Sequence, residues 1–202
     1  IKEWLVKNGY SPRIVKVAGN LYNVLLEIGR GEPSLLVEVH MDVVPAWDME
    51  NAFIPRVEGD IVYGRGACDV KGGLTSVLLA LKLGVERCVE PNKKVVIAFT
   101  GDEEMNGRGA MDILARGYKT RYAVVIEPTN LRICNNIAGC IEFLLTTYGQ
   151  SGHGAASGSG ENAIYHLISI IQALRKWELL VRSNNSSEYS YMNVGRIDAG
   201  ES

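Results

Sequence analysis

Apolar positions along this chain fall into short continuous runs and longer helical stripes, and the two kinds alternate. Residues 21–28, 35–39, 95–100 and 122–126 are runs rich in Val, Ile and Leu, set off by glycine, proline and acidic residues. Runs of this length without polar alternation read as strands, and residues 95–100 and 122–126 as strands buried on both faces. A shorter run, 61–63, precedes a glycine-rich loop. Between the runs, residues 70–85 put Leu74, Val77, Leu78, Leu81 and Val85 on one helical stripe, and residues 109–116 form a helix ending at Gly117. Residues 2–8 read as a helix tail closed by Gly9, and Gly29-Arg30-Gly31-Glu32-Pro33 as a hairpin-type connection. Strands alternating with helices predict an α/β fold, a mostly parallel sheet with helices on both faces.

The pattern changes after Asn135. Residues 140–148 read as a strand, 149–160 as a Gly/Ser-rich loop containing His153, and 162–180 as an amphipathic helix. Ile164, Leu167, Ile168, Ile171 and Leu174 form its apolar face. A polar turn at 183–190 and a strand over 189–197 follow. This order predicts two domains, 1–136 and 137–202, the second a smaller α+β unit with an antiparallel sheet.

Composition narrows the function only by exclusion. With 47% hydrophobic and 22% charged residues, 202 residues suffice for a substantial core. A formal charge of −2 gives no reason to expect nucleic acid or an anionic membrane as partner. No apolar run approaches the roughly 18 residues of a membrane span. Cys68, Cys88, Cys134 and Cys140 lack zinc-knuckle or disulfide-scaffold spacing, which favours reduced thiols in a cytosol. Cys68 itself reads as a small core residue.

The chemistry lies where the runs stop. Residues 34–39 lead into His40-Met41-Asp42, 61–63 into a loop carrying Asp69, 95–100 into Asp102-Glu103-Glu104, and 123–126 into Glu127-Pro128. Ligands of open α/β sheets bind beyond the carboxyl ends of the strands. One imidazole and several carboxylates gathered there match the needs of a pair of zinc-like ions. His40 and Asp42 are two apart on a strand, so one ring nitrogen can meet metal while Asp42 accepts a hydrogen bond from the other. Glu103 and Glu104 are adjacent and point in different directions, leaving one free as a proton carrier. The loop Tyr63-Gly64-Arg65-Gly66-Ala67-Cys68-Asp69-Val70-Lys71-Gly72-Gly73 has neither the third glycine of a dinucleotide fingerprint nor the Ser/Thr of a Walker loop. Its glycines fit a backbone that passes close to a metal bridged by Asp69. Charge agrees: two divalent ions bring four positive charges, and Asp69, Glu104 and Glu127 return three. His153, among Gly152, Gly154 and Ala155, suits a side chain that approaches a ligand or another subunit.

Together these motifs resemble the co-catalytic zinc peptidases and deacylases typified by acetylornithine deacetylase, succinyl-diaminopimelate desuccinylase, aminoacylase and glutamate carboxypeptidase. The resemblance runs from His40-Met41-Asp42-Val43-Val44-Pro45 through the Asp69 loop, Asp102-Glu103-Glu104 and Glu127-Pro128. It continues through Gly152-His153, Asn162-Ala163-Ile164 and Asn193-Val194-Gly195. It implies that His40 and Glu127 hold a first zinc, with Asp69 bridging to a second held by Glu104, and that Co²⁺ or Mn²⁺ could substitute. It further implies Glu103 as general base, Asp42 as the residue orienting His40, and His153 as a donor to the substrate carbonyl oxygen, supplied in many relatives by a partner subunit.

The implied fold adds an inserted ferredoxin-like lid that dimerises. The implied reaction is hydrolysis of the amide bond of an N-acyl amino acid or small peptide. An aminopeptidase-type di- or tripeptidase and a catalytically inactive, metal-poor relative are the alternatives. The family's second metal takes a histidine from near the C-terminus, and none follows His166 here. The expectation is therefore an incomplete stretch of a longer cytoplasmic enzyme, inactive by itself.

Overall fold

A computed structural model describes residues 1–137, 139–153, 160–184 and 191–200. Helix α1 (Lys2–Lys7) leads into strands β1 (Arg13–Ala18), β2 (Leu21–Ile28) and β3 (Pro33–His40). A small ribbon, β4 (Arg56–Glu58) and β5 (Ile61–Tyr63), precedes an irregular turn over Ala67–Gly72. Helix α2 (Gly73–Glu86), strand β6 (Lys94–Thr100), helix α3 (Arg108–Ala115), strand β7 (Tyr122–Val125) and helix α4 (Ala163–Asn184) follow. The chain divides into two compact units, Ile1–Asn136 and Ile137–Ser202.

The main sheet has the order β1-β2-β6-β3-β7. β3 is parallel to β6 and β7, whereas β2 is antiparallel to β1 and β6. The sheet is therefore mixed rather than mostly parallel. The cause is β6, which inserts between β2 and β3, so the connection at 29–32 spans a strand instead of closing a hairpin. Gly29 has a φ of +81°, and a Cβ there would stand 2.4 Å from the Lys93 carbonyl oxygen. Only glycine lets the crossing chain pass that close to the entry of β6.

Helices cover both faces of this sheet. On one side Leu5 of α1 and Leu74, Val77 and Leu81 of α2 pack on Val24, Leu26, Val39, Ile97 and Phe99. On the other, Ile113 of α3 packs on Leu25 and Ala98. The alternation of Val24, Leu25 and Leu26 between the two clusters is the period of two of a strand. Several residues depart from their predicted places. Val85 is half exposed at the end of α2, and Tyr122, Val124 and Val125 are exposed because β7 is an edge strand. Ile61–Tyr63 pairs only with β4, outside the main sheet. Cys68 is exposed, and Val70, two residues on, occupies the core instead.

In the second unit, α4 carries Leu167, Ile171 and Leu174 half-buried, while Ile164 and Ile168 are exposed. Its most buried side chain is Glu178, 2% exposed, held by Arg175 at 2.7 Å, Arg182 at 2.8 Å and the Met192 amide at 3.2 Å. Among the described residues of the strands predicted over 140–148 and 189–197 no strand is formed, and an isolated bridge joins Gln150 and Glu161. Ile141 and Leu144 are almost fully exposed, and an extended segment without a partner leaves its backbone groups to water. Residues 154–159 of the predicted loop, most of the 183–190 turn and positions 189–190 lie outside the described residues. All four cysteines are free, and no described helix is long and apolar enough to cross a membrane.

Phe99 is fully buried at the centre of the larger cluster. Phe99→Ala should lower the unfolding free energy by about 3–5 kcal/mol in denaturant titration. A loss below about 1 kcal/mol would place the core elsewhere.

Candidate metal centre

Register brings the site together. In the parallel ladder His40 stands opposite Thr100, and Glu38 opposite Val125, with the Ile126 amide donating to the Glu38 carbonyl at 2.9 Å. The strands thus end level with one another, and His40, the 101–104 turn and Glu127 emerge side by side. Asp69 arrives from the irregular turn before α2. Its glycines serve packing: a Cβ at Gly66 would lie 2.3 Å from Val43 Cγ1, and one at Gly73 would lie 2.4 Å from Ile126 Cγ2. The Asp69 turn is thereby seated against the segments that follow His40 and precede Glu127.

His40 is 1% exposed and forms the floor. Its Nε2 lies 2.9 Å from Asp69 Oδ1, 3.9 Å from Glu103 Oε2 and 4.0 Å from Glu127 Oε1. Two triads have ligand atoms within 4.8 Å of one another: His40, Glu103 and Glu127, and His40, Asp69 and Glu104. All four predicted ligands are therefore gathered, together with Glu103. His153 lies in the second unit, where it is exposed.

Asp42 differs in detail from its predicted contact. The Nδ1 of His40 faces the backbone carbonyl of Asp42 at 3.1 Å, and the Asp42 carboxylate is 3.8 Å away. That carboxylate instead accepts the backbone amides of Glu103 at 3.3 Å and Glu104 at 3.2 Å. Asp42 thus links the two acidic arms of the site, using its main chain for the histidine and its side chain for the glutamates.

Both ring nitrogens face acceptor oxygens, Nδ1 the Asp42 carbonyl and Nε2 the Asp69 carboxylate. A carbonyl oxygen only accepts, so the Asp42 contact is a hydrogen bond when Nδ1 carries the proton. A neutral His40 then turns the lone pair of Nε2 toward the Asp69 oxygen, an arrangement that requires a cation between them or a second proton on the ring. Among the described residues no lysine or arginine pairs with Asp69, Glu103, Glu104 or Glu127. Lys71 donates to the Met41 carbonyl instead. One imidazole and four carboxylates, hard oxygen donors with one nitrogen and an open rim, suit zinc or a similar divalent ion.

Electrostatics point the same way. Burial disfavours the charged His40 ring, yet the Asp69 hydrogen bond and the Glu103 and Glu127 charges hold its pKa above the ordinary value. Partial burial pushes Glu103 and Glu127 up, opposed by His40 and reinforced by neighbouring carboxylates.

Two buried polar residues near the site carry roles that sequence reasoning missed. Glu38 accepts from the Thr100 hydroxyl, and burial raises its pKa. Asn23 in β2 is fully buried and bonded to the turn after β6. Both are polar residues that interrupt apolar runs, and that interruption was the available signal.

The sheet-end cluster defines a candidate metal centre on an α/β scaffold. The chain belongs to peptidase family M20/M25/M40, whose profile matches residues 36–192. A protein of Staphylococcus aureus named probable succinyl-diaminopimelate desuccinylase is 29% identical over 192 residues, 92% of this chain and 47% of the relative. The acetylornithine deacetylase of Vibrio cholerae is 29% identical over 216 aligned residues, 100% of this chain and 55% of the relative. The chain therefore spans about half the length of the curated relatives it matches. A tripeptidase from Staphylococcus aureus shares the fold, with a TM-score of 0.61 at 18% identity, over 85% of this chain and 48% of its own.

The raised pKa values set a sign. The metal-free native state holds more protons at His40, Glu103 and Glu127 than the unfolded chain, so stability falls as pH rises through those values. Zinc should displace these protons and remove the trend. Melting temperature against pH, with chelator and with zinc, checks this. Calorimetry in buffers of different ionisation enthalpy should show net proton release on binding. A metal-free melting temperature that climbs with pH over this range would contradict it.

Proposed function

We propose that this chain forms the metal-binding part of a zinc-dependent amidohydrolase that cleaves N-acyl amino acids or small peptides. The observation that carries the reading is the Nε2 atom of buried His40 aimed into a cluster of carboxylates that no lysine or arginine among the described residues neutralises. The names of the relatives support the substrate class. In this reading His40, Asp69 and Glu127 hold one ion, and Asp69 is shared with a second held by Glu104. Zinc so bound supplies Lewis acidity to the scissile carbonyl and acidifies a water; Co²⁺ or Mn²⁺ are expected substitutes.

Glu103 is assigned the proton transfer, from the attacking water to the leaving amine. Distance alone groups it with the ligands. Its exposed position, against the half-buried Glu104, favours it as the free carboxylate. Asp42 fixes the His40 ring and tethers the amides of both glutamates. His153 is assigned the oxyanion contact, delivered from a partner subunit through a dimerising lid formed by 137–202. A cytoplasmic setting accords with four free cysteines.

In the full-length protein, Glu103→Gln should keep its metal and lose about 10²–10⁴-fold in turnover. Glu104→Gln should instead lower the metal content found by elemental analysis. Near-normal turnover in a metal-replete Glu103→Gln protein would remove Glu103 from the role.

A further inference from the structure

Glu103 and Glu104 stand on a loop that closes on itself between Gly101 and Gly109, and the contacts closing it take no part in the chemistry assigned above. At the base, Asn23 accepts from the Gly101 amide at 3.3 Å and donates to the Gly109 carbonyl at 2.9 Å, with the Asp112 carboxylate at 3.4 Å. The loop ends also meet directly, the Gly109 amide donating to the Gly101 carbonyl at 3.1 Å. No side chain fits between them. A Cβ at Gly109 would lie 2.3 Å from the Gly101 oxygen and 2.9 Å from Asn23 Oδ1.

Across the loop, Arg108 grips the Asp102 carboxylate through Nε at 2.6 Å and Nη2 at 2.9 Å. The Asp102 carbonyl accepts the amides of Asn106 and Gly107 at 3.1 and 2.6 Å. Asp102 has a φ of +71°, a conformation uncommon outside glycine that needs its surroundings to hold it. The Arg108 fork holds the Asp102 carboxyl down at about 2, so the pair stays ionised through the neutral range.

An asparagine amid Val24, Leu25 and Leu26 costs packing unless its amide is used at both ends. Here an apolar residue would leave a buried N–H and a buried carbonyl of the loop unpaired. We infer that Asn23 and the Asp102–Arg108 pair are positioning residues, a two-point clamp that sets Glu103 and Glu104 at their distance from His40. Its consequence for turnover rests on the hydrolase reading; its consequence for the loop does not.

The test uses the full-length protein with Asn23→Leu and, separately, Arg108→Met, the latter at an exposed side chain outside the core. Hydrogen exchange should quicken at the amides of 101–109 while β3 and β6 keep their protection. For Asn23→Leu, kcat should fall about 10²-fold, the scale of a displacement near 1 Å in a reacting group. KM should stay unchanged. Arg108→Met should give the same pattern at a few-fold loss, and it carries the test if Asn23→Leu fails to fold. Exchange that rises equally throughout the sheet would reduce Asn23 to a stability residue and overturn the inference. Unchanged exchange in the loop would overturn it as well. If the unsubstituted protein shows no zinc-dependent turnover, the hydrolase reading fails, and the exchange pattern still decides the clamp.

Discussion

The parallel register of β3 between β6 and β7 is the constraint on which the rest of the first unit depends. His40 opposite Thr100 and Glu38 opposite Val125 bring three strands to the same level at their carboxyl ends. The side-chain period of a strand is two, so a slip of one residue would turn His40 toward the opposite face and put Val39 at the site in its place. Core packing enforces the register. Val39, Ile97 and Phe99 face α1 and α2, and Ala98 faces α3, so the apolar positions of both helical layers must slip together or not at all. The candidate metal centre is in this sense a by-product of how the core packs.

What register assembles, the backbone then aims. Asp42 uses its carbonyl to fix the protonated nitrogen of His40 and its carboxylate to gather the Glu103 and Glu104 amides. Burial of the ring at the floor and partial exposure of Asp69, Glu103 and Glu127 at the rim leave the cluster open on one side. Partial burial of carboxylates costs energy in the metal-free protein, neighbouring like charges add to it, and the raised pKa values of Glu103 and Glu127 are that cost expressed as proton affinity.

Much of this was legible in the chain. Apolar runs that end in His40, Glu103, Glu104 and Glu127 reveal strand ends, because a strand covered on both faces leaves no other place for charge. Pairing order was not legible: periodicity says which residues face the core, not which strand lies alongside, so the insertion of β6 between β2 and β3 could not be read. The exposure of β7 was hidden for the same reason, since an edge strand and a central one can share a sequence. Asn23 and Glu38 left only a weak trace, one polar residue in an apolar run, and their partners lie far away in sequence. In the second unit, α4 was legible from its stripe. The flanking strands had the composition of strands, but pairing partners are what make a strand, and composition cannot supply them.

The central claim is that Nε2 of His40 is the nitrogen presented to the ion. Anomalous diffraction at the zinc edge, from crystals of the full-length protein grown with zinc, tests it most directly. The account predicts a zinc peak bonded to His40 Nε2 together with Asp69 and Glu127, and Nδ1 still donating to the Asp42 carbonyl. A peak bonded to Nδ1, or zinc found only away from this cluster, would contradict it.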